Sequence, residues 1–377
     1  LIKTWYVGDR IPAFFGKTSS NPKFHFDSMA GRYLIISLMG SASIEKNAAI
    51  ISHISSYKDR LDDEFASYFI VSVDSNDQST GRIKERLPGI RCFWDFDSHI
   101  SQFLGAMENM ARPGEPVNYY SSTLILDPNM RVLAHIPMLD VARHNKEFDR
   151  VFSSLPPVEL HAGVQMHAPV LIVPRVFEPE FCQQLIEAYK ENGGEDSGFM
   201  REIGGKTVGV MDHTFKRRKD FLFDSEHPLA VGARRRFISK LIPEIKRAFE
   251  FQVTRMERYI VACYDDASQG FFRAHRDNTT KATAHRRFAC TINLNAEEYE
   301  GGDLCFPEFG TRTYRAPTGG AVIFSCSLLH EALPVTKGTR YAFLPFFYDE
   351  TAAKIREQNL EHLSKEVVDL RSRKLGQ

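Results

Sequence analysis

Two adjacent prolines, Pro156 and Pro157, divide the chain into halves with different strand patterns. Consecutive prolines fix φ and withhold backbone donors, so they favour an extended connector over a continuing helix or strand. A linker is expected over 156–168. Upstream, short apolar runs fit for buried strands occur at 32–39, 68–73 and 122–126. The last leads into the turn Asp127-Pro128-Asn129 and a hairpin partner at 131–135. Residues 45–66 mix polar and apolar positions at helical spacing. This alternation predicts an α/β layer domain over 1–155. Downstream, strand candidates at 254–264, 288–294, 320–324 and 340–348 are separated by Gly301-Gly302-Asp303 and Pro317-Thr318-Gly319-Gly320. Short strands with glycine-rich turns predict a double-sheet jelly-roll barrel over 169–350, flanked by helices, one of them entered through Pro179. The chain is therefore expected to be a two-domain α+β protein. At 351–377, Ile355, Leu360, Leu363, Val367 and Leu370 form one apolar stripe on a helix. Packing on its own domain and a homodimer contact are the two readings of that stripe.

Lys plus Arg equals Asp plus Glu, 48 against 48, so no bulk field draws the chain to nucleic acid or membrane. The basic runs at 216–219 and 234–236 lack interleaved aromatics for base stacking, and no nucleic-acid partner is expected. No apolar run reaches the roughly 18 residues that suggest a spanning helix, and the start has no secretory pattern. The chain does not begin with Met, so a trimmed N-terminus is expected. Six cysteines form no CxxC pair and are expected to be buried thiols in a reducing, cytoplasmic compartment.

His275 and Asp277 stand two residues apart, which on a strand places both side chains on one face. His330 follows downstream, then Arg340. Taken singly, each has an ordinary explanation: His-x-Asp is a common solvated pair, and the chain holds 13 histidines. Together, two imidazoles and a carboxylate fill one face of an octahedron and leave three positions open, the arrangement of non-haem iron oxygenases. Arg340 offers a guanidinium fork of fixed charge suited to a carboxylate, with a surface ion pair as the alternative. Its alternation with Thr339 and Tyr341 turns it toward the barrel interior if 340–348 is a strand.

The segments Ala262-Cys263-Tyr264, Gly270 to Asn278, Arg287 to Asn295, Gly301 to Phe306 and His330 to Val335, with Thr339-Arg340-Tyr341-Ala342, resemble the prolyl 4-hydroxylase branch of the 2-oxoglutarate and Fe(II)-dependent dioxygenases. The resemblance implies His275, Asp277 and His330 as iron ligands, and Arg340 on the distal carboxylate of 2-oxoglutarate. Tyr264 falls where relatives direct a hydroxyl at the oxo acid, with Tyr259 as the second choice. Asn293 stands where some relatives carry tyrosine. O2 is the other co-substrate, and ascorbate is expected to keep the iron reduced. The implied reaction hydroxylates an unactivated C–H of a prolyl, peptidyl or amino-acid-like substrate and releases succinate and CO2. A flap over the site is expected at 199–222, hinged at Gly204-Gly205. Its basic run Lys216-Arg217-Arg218-Lys219 reads either as an attractor for an acidic substrate or as a solvated loop. His285, beside Arg286 and Arg287, is expected on a solvated face, and Arg276 and Asn278 point away from the ligands.

The first half resembles peroxiredoxins and other thioredoxin-fold proteins through Gly8 to Phe15, Phe93-Trp94-Asp95-Phe96-Asp97 and Leu126 to Val132. Where that family places its reactive cysteine, this chain has Gly40-Ser41-Ala42-Ser43. A serine supplies no comparable thiolate, so the half is expected to be redox-inactive and to serve as scaffold, docking surface or dimer contact. A binding or assembly protein that uses this half to hold partners is the alternative function. Peroxidase activity through Cys92 is a third and weaker reading.

Overall fold

Tyr33–Gly40 and Ala66–Ser72 are buried along their whole length, as strands covered on both faces must be. The computed structural model describes residues 3–108 and 118–362. It divides into two units, Leu1–His167 with Pro307–Thr311, and Ala168–Phe306 with Arg312–Gln377. Together they make a two-domain α+β architecture.

The first unit holds a five-stranded sheet in the order Ile90–Trp94, Ala66–Ser72, Tyr33–Gly40, Ser122–Leu126, Val132–Pro137. The first three strands run parallel and the last two join antiparallel. The helix Glu45–Ser55 links the first two strands in sequence and stops well short of residue 66. A second helix, Val141–Ser153, is absent from the sequence reading although its spacing is plain. It buries His144, Phe148, Val151 and Phe152, one stripe of an amphipathic helix, and Asp140 caps it by accepting from the Arg143 N–H at 2.8 Å. Both helices contribute to one apolar core with the sheet. The stretch expected as a linker carries a 3-10 turn at Val158–Leu160.

In the second unit all the strand pairs are antiparallel, among the described residues. The larger sheet includes Phe288–Asn293, Thr339–Phe343, Ile260–Asp265 and Lys219–Leu222 as successive neighbours. The smaller runs Lys216–Arg217, Phe271–His275, His330–Ala332, Leu304–Cys305, Thr313–Tyr314. The helix Pro179–Asn192 starts with proline in its first turn, where the missing N–H costs nothing, and buries Phe181, Cys182, Leu185, Ile186 and Tyr189. With Ala230, Phe237 and Ile245 from the next helical segments, that face covers the larger sheet in a single core.

The expected flap is a hairpin, Phe199–Ile203 with Lys206–Val210, turned by Gly204 and Gly205 at positive φ, followed by two short strands. Its basic run is no solvated loop: Lys216 and Arg218 are buried, while Lys219 is exposed. At the far end the helix Glu350–Gln358 is followed by a 3-10 turn at Leu360–His362. The rest of the proposed stripe, Leu363, Val367 and Leu370, lies outside the described residues. Among the described residues, no helix is long and apolar enough to cross a membrane.

Candidate active site

Cross-strand pairing brings the distant histidine to the His-x-Asp segment. His275 and His330 are directly opposed partners on neighbouring strands, next to a register shift that follows Phe272. Their ring centroids lie 4.4 Å apart. Asp277 follows the end of its strand, held by its own N–H donating to the Cys326 carbonyl at 3.0 Å. Its two oxygens sit 3.6 Å from His275 Nε2 and 3.4 Å from His330 Nε2. One ligand atom from each residue lies within 4.8 Å of the others, close enough to hold one metal ion.

The second nitrogen of each ring settles what these atoms are. His275 Nδ1 faces the Arg273 carbonyl at 2.7 Å, and His330 Nδ1 faces the Leu328 carbonyl at 3.1 Å. A carbonyl accepts, so each Nδ1 carries a proton and each ring turns its Nε2 toward Asp277. Burial, with His275 beside it, pushes His330 down to about 4, so that ring is neutral at pH 7. Burial raises Asp277, but His330, His275 and Arg286 more than offset it and hold the carboxyl well below its usual range. Two ring nitrogens and one carboxylate therefore face a single point, where a cation could bind all three. Two nitrogens and one carboxylate are the donor set suited to Fe(II) with open positions.

Aromatic rings shield the cluster. Phe272 stacks on His275 at 3.5 Å, and Phe324 lies 4.5 Å from His330. Behind Asp277 is a buried ionic group, and one member, His285, was expected on a solvated face. His285 is fully buried, and Glu257 accepts from its Nε2 at 3.1 Å and from Arg286 Nε at 2.7 Å. Removing one member leaves the others charged and desolvated. Glu257→Gln is expected to cost about 3–5 kcal/mol of folding stability, measured by urea denaturation. A wild-type midpoint for this variant would mean that the group does not brace the site.

Arg340 is 2% exposed, and its Nε and Nη1 have no hydrogen-bond partner. It pairs across strands with Tyr264, whose ring lies 4.9 Å from the guanidinium carbon. Arg340 lines a narrow cleft with Thr291, Asn293, Tyr299 and Gly302. Asn293 donates to the Ala316 carbonyl at 2.7 Å, but its Oδ1 is unpartnered, as is the Tyr299 hydroxyl. Buried polar atoms are rarely left unmatched, so several around one cavity mark a place for a polar guest. Gly302 keeps that space open. It sits at φ +69°, and a Cβ there would stand 3.1 Å from Arg340 Cδ and 2.9 Å from Val335.

The sequence candidates thus separate into groups. His275, Asp277 and His330 converge, and Arg340 and Asn293 share the cavity. Tyr264 lies under Arg340, while its hydroxyl accepts from Arg218 Nη1 at 3.3 Å. Tyr259 is not brought to this place. It precedes the strand Ile260–Asp265 and packs on the helix-covered core, with Arg234 5.9 Å from its ring. Tyr299 went unnoticed in the sequence, where its position two residues before Gly301-Gly302 was the available signal.

Residues 259–348 match the model of the 2OG-Fe(II) oxygenase superfamily. The chain is similar to a PKHD-type hydroxylase from Verminephrobacter eiseniae, 26% identical over 203 residues, covering 50% of this chain and 82% of the relative. It is similar to a PKHD-type hydroxylase from Acinetobacter baumannii, 28% identical over 193 residues, covering 46% and 78%. Among solved structures it is similar to a Trichoplax adhaerens prolyl hydroxylase in complex with a hypoxia-inducible-factor peptide, at TM-score 0.41 and 17% identity, covering 56% of this chain and 94% of that one. The matched segment contains the three converging side chains and Arg340, so residues 259–348 carry a 2OG-Fe(II) oxygenase-like domain whose donor set suits enzyme chemistry with Fe(II), 2-oxoglutarate and O2.

Proposed function

We propose that the second unit hydroxylates an unactivated C–H of a prolyl, peptidyl or amino-acid-like substrate. His275, Asp277 and His330 hold Fe(II) in this reading, and Arg340 holds the far carboxylate of 2-oxoglutarate. The observation that carries it is the pairing of three convergent acceptors with a buried guanidinium that has two unmatched nitrogens. Fe(II), when bound, supplies the O2 activation that couples loss of CO2 from 2-oxoglutarate to hydroxylation. The chain's own residues orient and shield. The Arg273 and Leu328 carbonyls fix the two rings, Phe272 and Phe324 exclude water, and Asn293 and Tyr299 complete the polar lining beside Arg340. Tyr264 aligns Arg340 through its ring. Similarity to PKHD-type hydroxylases supports hydroxylation as the outcome. The two antiparallel sheets support a jelly-roll for this unit.

For the first unit the reading is a thioredoxin-type layer without redox chemistry, used for docking. Its mixed five-stranded sheet supports the fold. Ser41 stands at the reactive position, donating to Asp74 Oδ2 at 2.7 Å, and burial pushes the Cys92 thiol well above its usual range. The six cysteines are all buried and free, which supports a reducing, cytoplasmic setting.

The test is anaerobic addition of Fe(II) and 2-oxoglutarate, followed by exposure to O2. The expected results are a visible charge-transfer band, absent in His275→Ala, and then succinate release. A folded protein that gives neither band nor succinate would falsify the reading.

A further inference from the structure

The strand segment at 216–220 alternates its side chains, and its inward members are charged. Lys216, Arg218 and Asp220 are largely buried, with side chains of Arg218 and Asp220 only 5% and 15% exposed. Lys216 Nζ donates to Ser197 Oγ and to the Gly198 carbonyl, both at 2.7 Å, and stands 4.8 Å from the Phe272 ring that covers His275. Arg218 donates from Nη2 to Asp220 Oδ2 at 2.7 Å and to Ser197 Oγ at 3.3 Å, and from Nη1 to the Tyr264 hydroxyl, while its Nε has no partner. Arg258, held at φ +69° between two strands, reaches the same Asp220 oxygen at 3.6 Å. Three cations thus gather around one carboxylate, itself with one oxygen unpartnered.

Such a group is costly to bury unless further negative charge joins it. Lys216 carries the strain: burial and then Arg218 disfavour its charged form, and an additional anion would reverse that pressure. The cluster is separate from the Arg340 cavity. Tyr264 lies between them, with Arg340 against its ring and Arg218 on its hydroxyl. One cation station faces the co-substrate cavity, and the other lies against the aromatic cover of the metal cluster.

We propose that Lys216, Arg218 and Arg258 form a specificity site for a carboxylate of the primary substrate, so that the hydroxylated molecule is acidic next to the oxidised carbon. The inference rests on the dioxygenase reading above. The carboxylate comes either from an Asp or Glu side chain in a peptide or from a free amino or organic acid. A neutral isostere would leave the cations unmatched, a loss that buried polar sites punish heavily.

The Fe(II)-loaded protein is given 2-oxoglutarate and three probe sets: N-acetyl peptide amides with proline flanked by Asp or Glu, the same peptides with Asn or Gln, and the free amino acids with their dicarboxylic analogues. Oxygen incorporation is followed by mass spectrometry, and anaerobic binding by calorimetry. Acid-bearing members are expected to exceed their amide isosteres by about tenfold or more in kcat/KM and in affinity. Turnover of peptides alone or of free acids alone names the source, and either supports the site. The partly exposed Arg258 allows a mild variant: Arg258→Gln is expected to raise KM for the acidic substrate by about tenfold and to leave the 2-oxoglutarate KM and the charge-transfer band unchanged. Equal turnover of acids and amides, or no oxygenated product from any acid while succinate is released, overturns the proposal. So does an Arg258→Gln effect that falls on 2-oxoglutarate instead. Absence of band and succinate in the unaltered protein overturns the dioxygenase reading itself, a distinct result.

Discussion

Asp277→Ala is expected to abolish metal binding and turnover while leaving the metal-free fold intact. The carboxylate bridges two inward-facing nitrogens at 3.6 and 3.4 Å, and no other acidic group joins the three-residue cluster among the described residues. Losing a partner that merely supports a metal ligand costs about 10–100-fold in affinity, so losing the ligand itself should exceed that range. The apo protein responds differently, because alanine removes a buried carboxylate whose metal is absent. Thermal unfolding makes the contrast visible. Fe(II) at a hundred times its Kd should stabilise the unaltered protein by about 2.7 kcal/mol, and the variant should show no metal-dependent gain. A variant that keeps the iron-induced rise in Tm would show that the three side chains are not the centre.

Arg340 carries the second large effect. Arg340→Met removes a guanidinium that is almost wholly buried with two unmatched nitrogens. Truncating one partner of a buried charge pair costs about 2–5 kcal/mol, so the 2-oxoglutarate KM should rise by roughly two orders of magnitude. Stability should move the opposite way. Without a ligand the guanidinium is desolvated and under-bonded, and methionine fills similar space without that cost, so the co-substrate-free variant should melt at or above the unaltered protein. A fall in Tm together with an unchanged 2-oxoglutarate KM would make Arg340 a structural residue. Succinate release at varied 2-oxoglutarate gives the KM, and thermal unfolding without 2-oxoglutarate gives the Tm.

Much of this site could be seen in the chain itself, because strand periodicity is local. His275-x-Asp277 shares a face for any strand, and the alternation of Thr339, Arg340 and Tyr341 assigns the guanidinium a side. What pairs with what is not local. The register that sets His330 opposite His275 depends on a shift after Phe272, and the same distance from periodic rules kept Tyr259 as a second choice behind Tyr264. The structure separates them by putting Tyr264 beside Arg340 and Tyr259 on the helix-covered core. The basic run misled for another reason. Composition left 216–219 open between an attractor for an acidic substrate and a solvated loop, whereas period-two alternation assigns Lys216 and Arg218 to one side and Arg217 and Lys219 to the other. Charge identity was weighed and spacing was not. In the first unit four of the five sheet strands follow directly from apolar runs, while Ile90–Trp94 was not expected as a strand, and the helix Val141–Ser153 was legible from its buried stripe yet lacked a long apolar run to draw notice.

Both imidazoles are oriented by main-chain carbonyls two residues upstream, Arg273 and Leu328. The orientation of the ligands is thus encoded in backbone conformation, and no particular side chain at either position is needed to sustain it. The side chains at 273 and 328 can therefore change without touching how the centre is held.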